Sequence, residues 1–128
     1  MKTKYTVALS LVAGVAVGAL AVQGLHAQAK PPLYVVTEID VSNLDAYLKE
    51  YSPLAQAAIK ASGGRLLALG QNATSLEGAA PATRVSIQQW ASMEQYKAYR
   101  GSTALADARK IGDKYAKFRT WAIEGVAQ

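Results

Sequence analysis

Hydrophobic and polar residues alternate from Leu33 to Val41, which is the pattern of a β-strand with one buried face. One face of this strand would carry Leu33, Val35, Ile39 and Val41, and the other Tyr34, Val36, Glu38 and Asp40. Shorter alternating stretches predict three further strands, over residues 65–69, 83–89 and 118–126.

Apolar residues recur at helical spacing after the first strand. Ser42 or Asn43 can cap this helix, because a short polar side chain accepts a hydrogen bond from the first turn. Ser52-Pro53 predicts a kink or a break, with Ser as N-cap and Pro at the first position of a restarted helix. Gly63-Gly64 predicts the end of the helix, since glycine adopts the left-handed cap without steric cost.

A second helical stretch follows the third strand. Ser92 and Gln95 have the spacing of a capping box, and Gly101-Ser102 divides the stretch into two pieces. Gly112 is a candidate for its end. The predicted order is therefore β-α-β-β-α-β, which is a ferredoxin-like α+β fold with two helices on one face of a four-stranded antiparallel sheet.

The other face of this sheet has no cover within the chain. We expect it to carry Tyr34, Val36, Glu38, Arg84, Ser86 and Gln88. A domain of about 99 residues buries only a modest share of its surface when it folds alone. The sequence therefore predicts a homodimer in which two open faces meet around a small, partly polar cavity.

The first residues have the features of a bacterial secretory signal. Lys2 and Lys4 are followed by an uncharged, largely apolar stretch over residues 5–25. Ala27 and Ala29 then place small residues at both specificity positions of a signal-peptidase site. We therefore expect a signal peptide over residues 1–29 and a periplasmic or secreted domain over residues 30–128.

The cleavage site and the fate of the signal have alternatives. Cleavage is expected after Ala29, and Ala27 offers the neighbouring site. The apolar stretch is also about 20 residues long, enough to span a bilayer, so an uncleaved N-terminal membrane anchor is the competing interpretation. After cleavage no stable membrane association is expected.

Composition restricts the possible chemistry. The chain has no Cys, and its one His, His26, leaves with the signal. Neither a His base nor a Cys nucleophile remains in the domain, and the residues that dominate zinc, copper and haem ligation are missing. We expect no metal and no bound cofactor.

Without Lys2 and Lys4 the chain has 12 basic and 9 acidic side chains, which is a mild excess of positive charge. Export argues against nucleic acid as a partner.

Several short motifs, in their order and spacing, resemble a known family. They are Tyr34-Val35-Val36, Val41-Ser42-Asn43-Leu44-Asp45-Ala46-Tyr47, Gly63-Gly64-Arg65-Leu66-Leu67, Leu76-Glu77-Gly78, Trp90-Ala91-Ser92-Met93-Glu94, Tyr99-Arg100-Gly101-Ser102 with Arg109, and Ile123-Glu124-Gly125-Val126. Together they are similar to the domain of unknown function 1330 family over nearly all of residues 33–126.

The resemblance implies a dimeric α+β barrel with the ferredoxin-like fold. The wider superfamily includes small monooxygenases and muconolactone isomerase-like enzymes. The family itself has no settled activity, so the resemblance assigns no catalytic residue, and whether the protein is an enzyme stays open.

Four side chains are candidates for ligand binding: Tyr34, Glu38, Arg84 and Arg109. Tyr34, Glu38 and Arg84 would line the dimer cavity, and an arginine can hold a carboxylate or phosphate with two hydrogen bonds. Glu38 and Asp40 could also act as an acid–base pair. The competing interpretations are structural: Glu38 pairs with Arg84, Asp40 lies in water, and Arg109 ties the second helix to Glu77 or its loop.

Two functions follow from these features. The first is an exported homodimer that binds a small organic molecule or serves a structural role. The second is a cofactor-free enzyme of the α+β barrel type, similar to a monooxygenase or an isomerase, acting on a small organic substrate.

Overall fold

The computed structural model describes residues 30–127, and one compact unit spans Pro32–Gly125. The predicted signal peptide lies outside the described residues. The strands are β1 (Leu33–Val41), β2 (Arg65–Gly70), β3 (Arg84–Trp90) and β4 (Ala116–Glu124). They form one antiparallel sheet in the order β2-β3-β1-β4, which confirms the predicted ferredoxin-like topology.

Helices cover one face of this sheet. Helix α1 is made of three consecutive stretches, Leu44–Ala46, Tyr47–Tyr51 and Ser52–Ala61. Helix α2 spans Met93–Arg100, and α3 spans Thr103–Gly112. Asn43, Ser92 and Ser102 cap the three helices, each accepting a hydrogen bond from a backbone N–H three residues later. The predicted cap at Ser92 is confirmed, but the capping box is not complete, because Gln95 accepts from the N–H of Ala91 and not from that of Ser92.

The predicted break at Ser52-Pro53 is a π-helical turn within a helix that continues. The N–H of Ser52 bonds to the carbonyl of Tyr47, five residues earlier. Ser52 does not cap the backbone, and its hydroxyl accepts from the Gln56 side chain at 3.0 Å. Since Pro53 has no N–H to donate, the wider turn accommodates it without ending the helix.

Trp90 lies at the centre of the larger of two core clusters and is 1% exposed. Its ring packs against Tyr96 and Tyr99, with centroids 5.4 and 4.8 Å away. A Cβ atom at Gly64 would lie 2.5 Å from the Trp90 ring, so only glycine allows the chain after α1 to pass here. Gly63 has a φ of +92°, which confirms the predicted left-handed end of α1.

Burial of Trp90 also determines which side chains of β3 lie under the helices. Side chains two residues apart share a face, so Gln88, Ser86 and Arg84 are buried with Trp90. Val85 and Ile87 lie on the open face, opposite Glu38 and Val36 of β1. The prediction that placed Arg84, Ser86 and Gln88 on the open face is therefore wrong. A change of one residue in phase exchanges the two faces of a strand completely.

We expect Trp90→Ala to lower the free energy of unfolding by about 3–5 kcal/mol, because it leaves a large cavity in the core. Urea denaturation would measure the change. Met93→Ala, at an exposed position of α2, is the control and should change stability by about 0.5 kcal/mol or less. Equal losses in the two variants would contradict the central role of Trp90.

Candidate functional site

A cavity lies between the covered face of the sheet and the helices. It contains about 510 Å³ of space free of protein atoms, part of it continuous with solvent, and the centres of water-sized molecules can occupy about 50 Å³ of it. The inner space admits several waters or a compact polar group. Its wall includes side chains from β1, β2, β3, β4 and all three helices.

The sheet side of the cavity is polar. Thr37, Ser86 and Gln88 line it, and each is at most 7% exposed. The hydroxyls of Thr37 and Thr120 are 3.0 Å apart, and Gln88 accepts a hydrogen bond of 2.9 Å from the Trp90 indole. These hydrogen bonds offset the cost of burying the polar side chains, which give the sheet side of the cavity a polar surface.

The helix side of the cavity is aromatic. Four tyrosines from α1 and α2 line it: Tyr47, Tyr51, Tyr96 and Tyr99. The Tyr47 and Tyr51 rings lie 5.0 Å apart on the π-helical turn, and Tyr51 is 5.5 Å from the Phe118 ring. A Cβ atom at Gly112 would lie 2.6 Å from the Tyr51 ring, so this glycine lets α3 approach the tyrosine.

Two arginines accompany the tyrosines. Arg84 is 6% exposed; its guanidinium donates to the Gln71 side chain and lies 5.5 Å from the centroid of the Tyr47 ring. Arg109 lines the cavity, with its guanidinium carbon 3.7 Å from the centroid of the Phe118 ring. The Nε atoms of both arginines are buried and have no hydrogen-bond partner among the described residues.

The tyrosines remain protonated at neutral pH. Burial raises the pKa of Tyr47 to about 12, and the neighbouring Tyr51 adds to the effect, although the charges of Arg84 and Arg109 oppose it. Burial likewise raises the pKa of Tyr51, Tyr96 and Tyr99. The phenols are therefore neutral at this pH and do not act as bases.

The structure divides the four predicted site residues between two faces. Arg84 and Arg109 are both on the helix-covered side, where the charges of both act on Tyr47. Tyr34 and Glu38 are half-buried on the open face. The predicted grouping of Tyr34, Glu38 and Arg84 in one cavity is therefore wrong, and the reason is the phase of β3 that Trp90 sets.

The alternatives that paired Glu38 with Arg84 and Arg109 with Glu77 are also wrong. Glu38 lies 3.4 Å from the guanidinium of Arg119 and accepts a 3.0 Å hydrogen bond from the N–H of Ala82. Asp40 is 3.3 Å from the same arginine. Arg109 lies over Phe118 instead of reaching an acidic side chain.

Tyr47 and Tyr51 are not among the site residues that the sequence predicts. They do pack, at 3% and 4% exposure, but they also line the cavity. The signal that could have found the site was the polar set Arg84, Ser86 and Gln88 in phase with a tryptophan. Within residues 30–127, no three His, Cys, Asp or Glu side chains form a group able to hold a metal ion. The helices of this same region are too short or too polar to cross a membrane.

We expect the protein to lose stability as the pH rises from about 10 to about 12. The ordinary tyrosine pKa is 10.0, and that of Tyr47 in the fold is about 12, so the folded state keeps this proton longer than the unfolded chain does. This contribution to stability is complete below pH 10 and is lost as the pH rises through the folded value. Urea denaturation at a series of pH values would measure it. Tyr47→Phe should show a smaller alkaline loss, and an unchanged loss would contradict the assignment.

Comparison with known proteins supports this fold. A protein of unknown function from Rhodopseudomonas palustris is 14% identical, with a TM-score of 0.63 over 84% of this chain and 92% of the other. SnoaB, described as a cofactor-independent oxygenase from Streptomyces nogalater, is 8% identical, with a TM-score of 0.58 over 77% and 96%. A protein from Bacteroides fragilis, described as dimeric with a ferredoxin-like fold, is 15% identical, with a TM-score of 0.53 over 73% and 96%.

No curated protein matches the chain. The family model described as "Domain of unknown function (DUF1330)" matches residues 32–126, which confirms the resemblance seen in the sequence. The match extends from the residue before β1 to the second residue after β4 and so includes every strand and helix described above. The chain belongs to the DUF1330 family.

Proposed function

We propose that the protein is exported, forms a homodimer, and binds a small organic molecule in the cavity of each protomer. The observation that carries the binding proposal is the lining of this cavity, in which buried polar side chains of the sheet face a wall of tyrosines. Protein interiors are close-packed and contain few spaces larger than a water molecule. A partly open cavity lined by aromatic rings and a few converging polar groups is typical of a small-molecule site.

Export is proposed from the N-terminal sequence alone. Two lysines precede an uncharged apolar stretch, and Ala27-Gln28-Ala29 provides the small residues that signal peptidase requires. The mature chain would begin at Lys30, three residues before β1. Cleavage there leaves every strand of the sheet intact.

The homodimer is proposed from the open face of the sheet. Its apolar side chains include Val36, Val85, Ile87, Trp121 and Ile123, by the register of the strands. Trp121 is 48% exposed and Ile123 is 64% exposed. Exposed apolar patches of this kind mark association sites, and a two-fold symmetric dimer lets the same patch cover itself. The dimeric ferredoxin-like relative from Bacteroides fragilis supports a second copy as the occupant.

Ile123→Glu should therefore convert the dimer into a monomer, because it places a charge among the exposed apolar side chains of the open face. Light scattering across micromolar concentrations would measure the mass of each variant. Met93→Glu, which changes an exposed apolar residue on the helical side, is the matched control and should remain dimeric. A monomeric wild type, or an Ile123→Glu variant that still dimerises, would contradict the proposal.

The binding proposal predicts a retained small molecule. Native mass spectrometry of protein purified gently from the periplasm should show a chain beginning at Lys30, a dimer, and a reproducible added mass. Ser86→Leu should remove the added mass, because the larger side chain fills the cavity from the sheet side. Ala98→Leu makes the same kind of change on the exposed side of α2 and should keep it.

The outcomes separate the three parts of this proposal. Circular dichroism would first establish that Ser86→Leu is folded. A chain that still contains Met1 would contradict cleavage and favour the membrane anchor. A bare dimer in repeated preparations would contradict ligand retention and favour a structural role.

A cofactor-free enzyme is the second candidate function, and one comparison favours it. SnoaB, which is described as a cofactor-independent oxygenase, shares the fold over 77% of this chain. In such an enzyme the cavity would hold a small organic substrate, and the protonated phenols of Tyr47 and Tyr99 would donate hydrogen bonds to it. Turnover of the retained molecule, followed by mass spectrometry, would distinguish an enzyme from a binding protein.

A further inference from the structure

Two arginines beside the tyrosines each have one buried nitrogen atom without a hydrogen-bond partner among the described residues. Arg84 is 6% exposed, yet its Nε atom makes no hydrogen bond among the described residues, and the same holds for the buried Nε of Arg109. A guanidinium cannot give up its proton near neutral pH, so Arg84 carries a full charge inside the fold and the half-buried Arg109 carries one at the wall of the cavity. A buried charge is strongly unfavourable unless an opposite charge or several hydrogen bonds compensate it.

The part of the chain from residue 30 to residue 127 supplies no acidic partner to these arginines. Ion pairs within 4.0 Å in this part join Lys110 to Asp107 and Arg119 to Glu38 and Asp40. Two of these pairs are on the open face, and the third is on the exposed side of α3. No carboxylate of this part of the chain therefore forms an ion pair with Arg84 or Arg109.

The other charged side chains around the cavity leave its surroundings positively charged. Arg100 also lines it and adds positive charge near Tyr96 and Tyr99. Asp113 is an acidic side chain whose charge acts on this cluster, through Tyr51. The charge of Arg109, by contrast, acts on all four tyrosines, which places it at the centre of the cluster.

Resting on the proposed binding function, we propose that the ligand is a small organic acid bound as its anion, with its charged oxygen held by Arg109, which lines the cavity, and attracted by the charge of Arg84 beside Tyr47. The class is a carboxylic acid, an enol or a phenol built on a single conjugated ring. The tyrosine hydroxyls, which stay protonated, donate further hydrogen bonds to the same oxygen. Aromatic walls from Tyr47, Tyr51 and Phe118 fit a flat body attached to it.

This arrangement has a consequence for the ligand's own ionisation. The Arg109 guanidinium, the positive charge of Arg84 and the phenol donors stabilise the anion and do nothing comparable for the neutral acid. Binding therefore lowers the pKa of the ligand, since a site that prefers one protonation state shifts the equilibrium toward it. For an enol or a phenol, the cavity would hold an electron-rich anion in a site largely screened from water.

The probe for this proposal is 4-nitrophenol, because its absorption spectrum distinguishes phenolate from phenol. The purified protein should bind it as phenolate and lower its apparent pKa by about one unit, which corresponds to tenfold tighter binding of the anion. Nitrobenzene has the same ring and no ionisable oxygen, so it should compete at least tenfold more weakly.

Arg109→Gln should weaken phenolate binding by about tenfold or more, the usual effect of losing a hydrogen bond to a charged group. Arg84→Gln should weaken it in the same direction. Lys110→Gln is the matched control, because it removes one positive charge from the neighbouring position on the exposed side of α3. Lys110→Gln should bind as the wild type does.

Each outcome decides between the two proposals. Nitrobenzene that binds as tightly as 4-nitrophenol, or a bound probe with the spectrum of the neutral phenol, would overturn the anion site and leave the binding function intact. An equal loss in Lys110→Gln would also overturn it, because attraction would then come from general surface charge. Binding of neither probe would overturn the binding function together with the anion site.

Discussion

The burial of Trp90 is the constraint on which the rest of the site depends. Its indole occupies the centre of the core between Tyr96 and Tyr99, at 1% exposure, and no other residue of β3 has a comparable apolar surface to bury. Because strand side chains alternate, this single placement brings Gln88, Ser86 and Arg84 inside. The free energy gained by burying a tryptophan thus offsets the cost of placing a polar row and one guanidinium under the helices.

The helix side of the cavity depends on a second feature, the π-helical turn that precedes Pro53. It widens α1 over Tyr47–Tyr51, so that both tyrosines point toward the sheet with rings 5.0 Å apart. The missing side chain at Gly112 then lets α3 approach Tyr51 closely enough to bring Arg109 over Phe118. Pro53 and Gly112 therefore influence the shape of the cavity without lining it. π-Turns of this kind occur often at functional sites.

Local patterns were enough to predict the fold, because caps, glycines and strand periodicity all agree on the same β-α-β-β-α-β order. They were not enough to place Arg84, because Val85 and Ile87 of β3 look like the core-facing residues by hydrophobicity alone. Only the position of Trp90 at the end of the strand opposes that interpretation. Trp90 determines the buried face because it packs against α2 and Gly64, and these contacts cannot be read from the pattern of β3 alone. The sequence identified Arg109 as a candidate for ligand binding. Its position over Phe118 could not be predicted, because it depends on contacts between distant parts of the chain.

The two faces of β3 reverse the usual distribution of polar and apolar side chains. Arg84, Ser86 and Gln88 lie under the helices, whereas Val85 and Ile87 lie on the face without cover. On the open face, Arg119 pairs with Glu38 and Asp40 of the same chain. These charges already have partners, so the apolar side chains are the part of the open face that remains available to another surface. A polar interior and an apolar exterior are each costly in an isolated domain. An organic anion in the interior would offset the first cost, and a second copy on the open face would offset the second. Ligand binding and dimerisation would therefore both follow from the way in which β3 distributes its side chains.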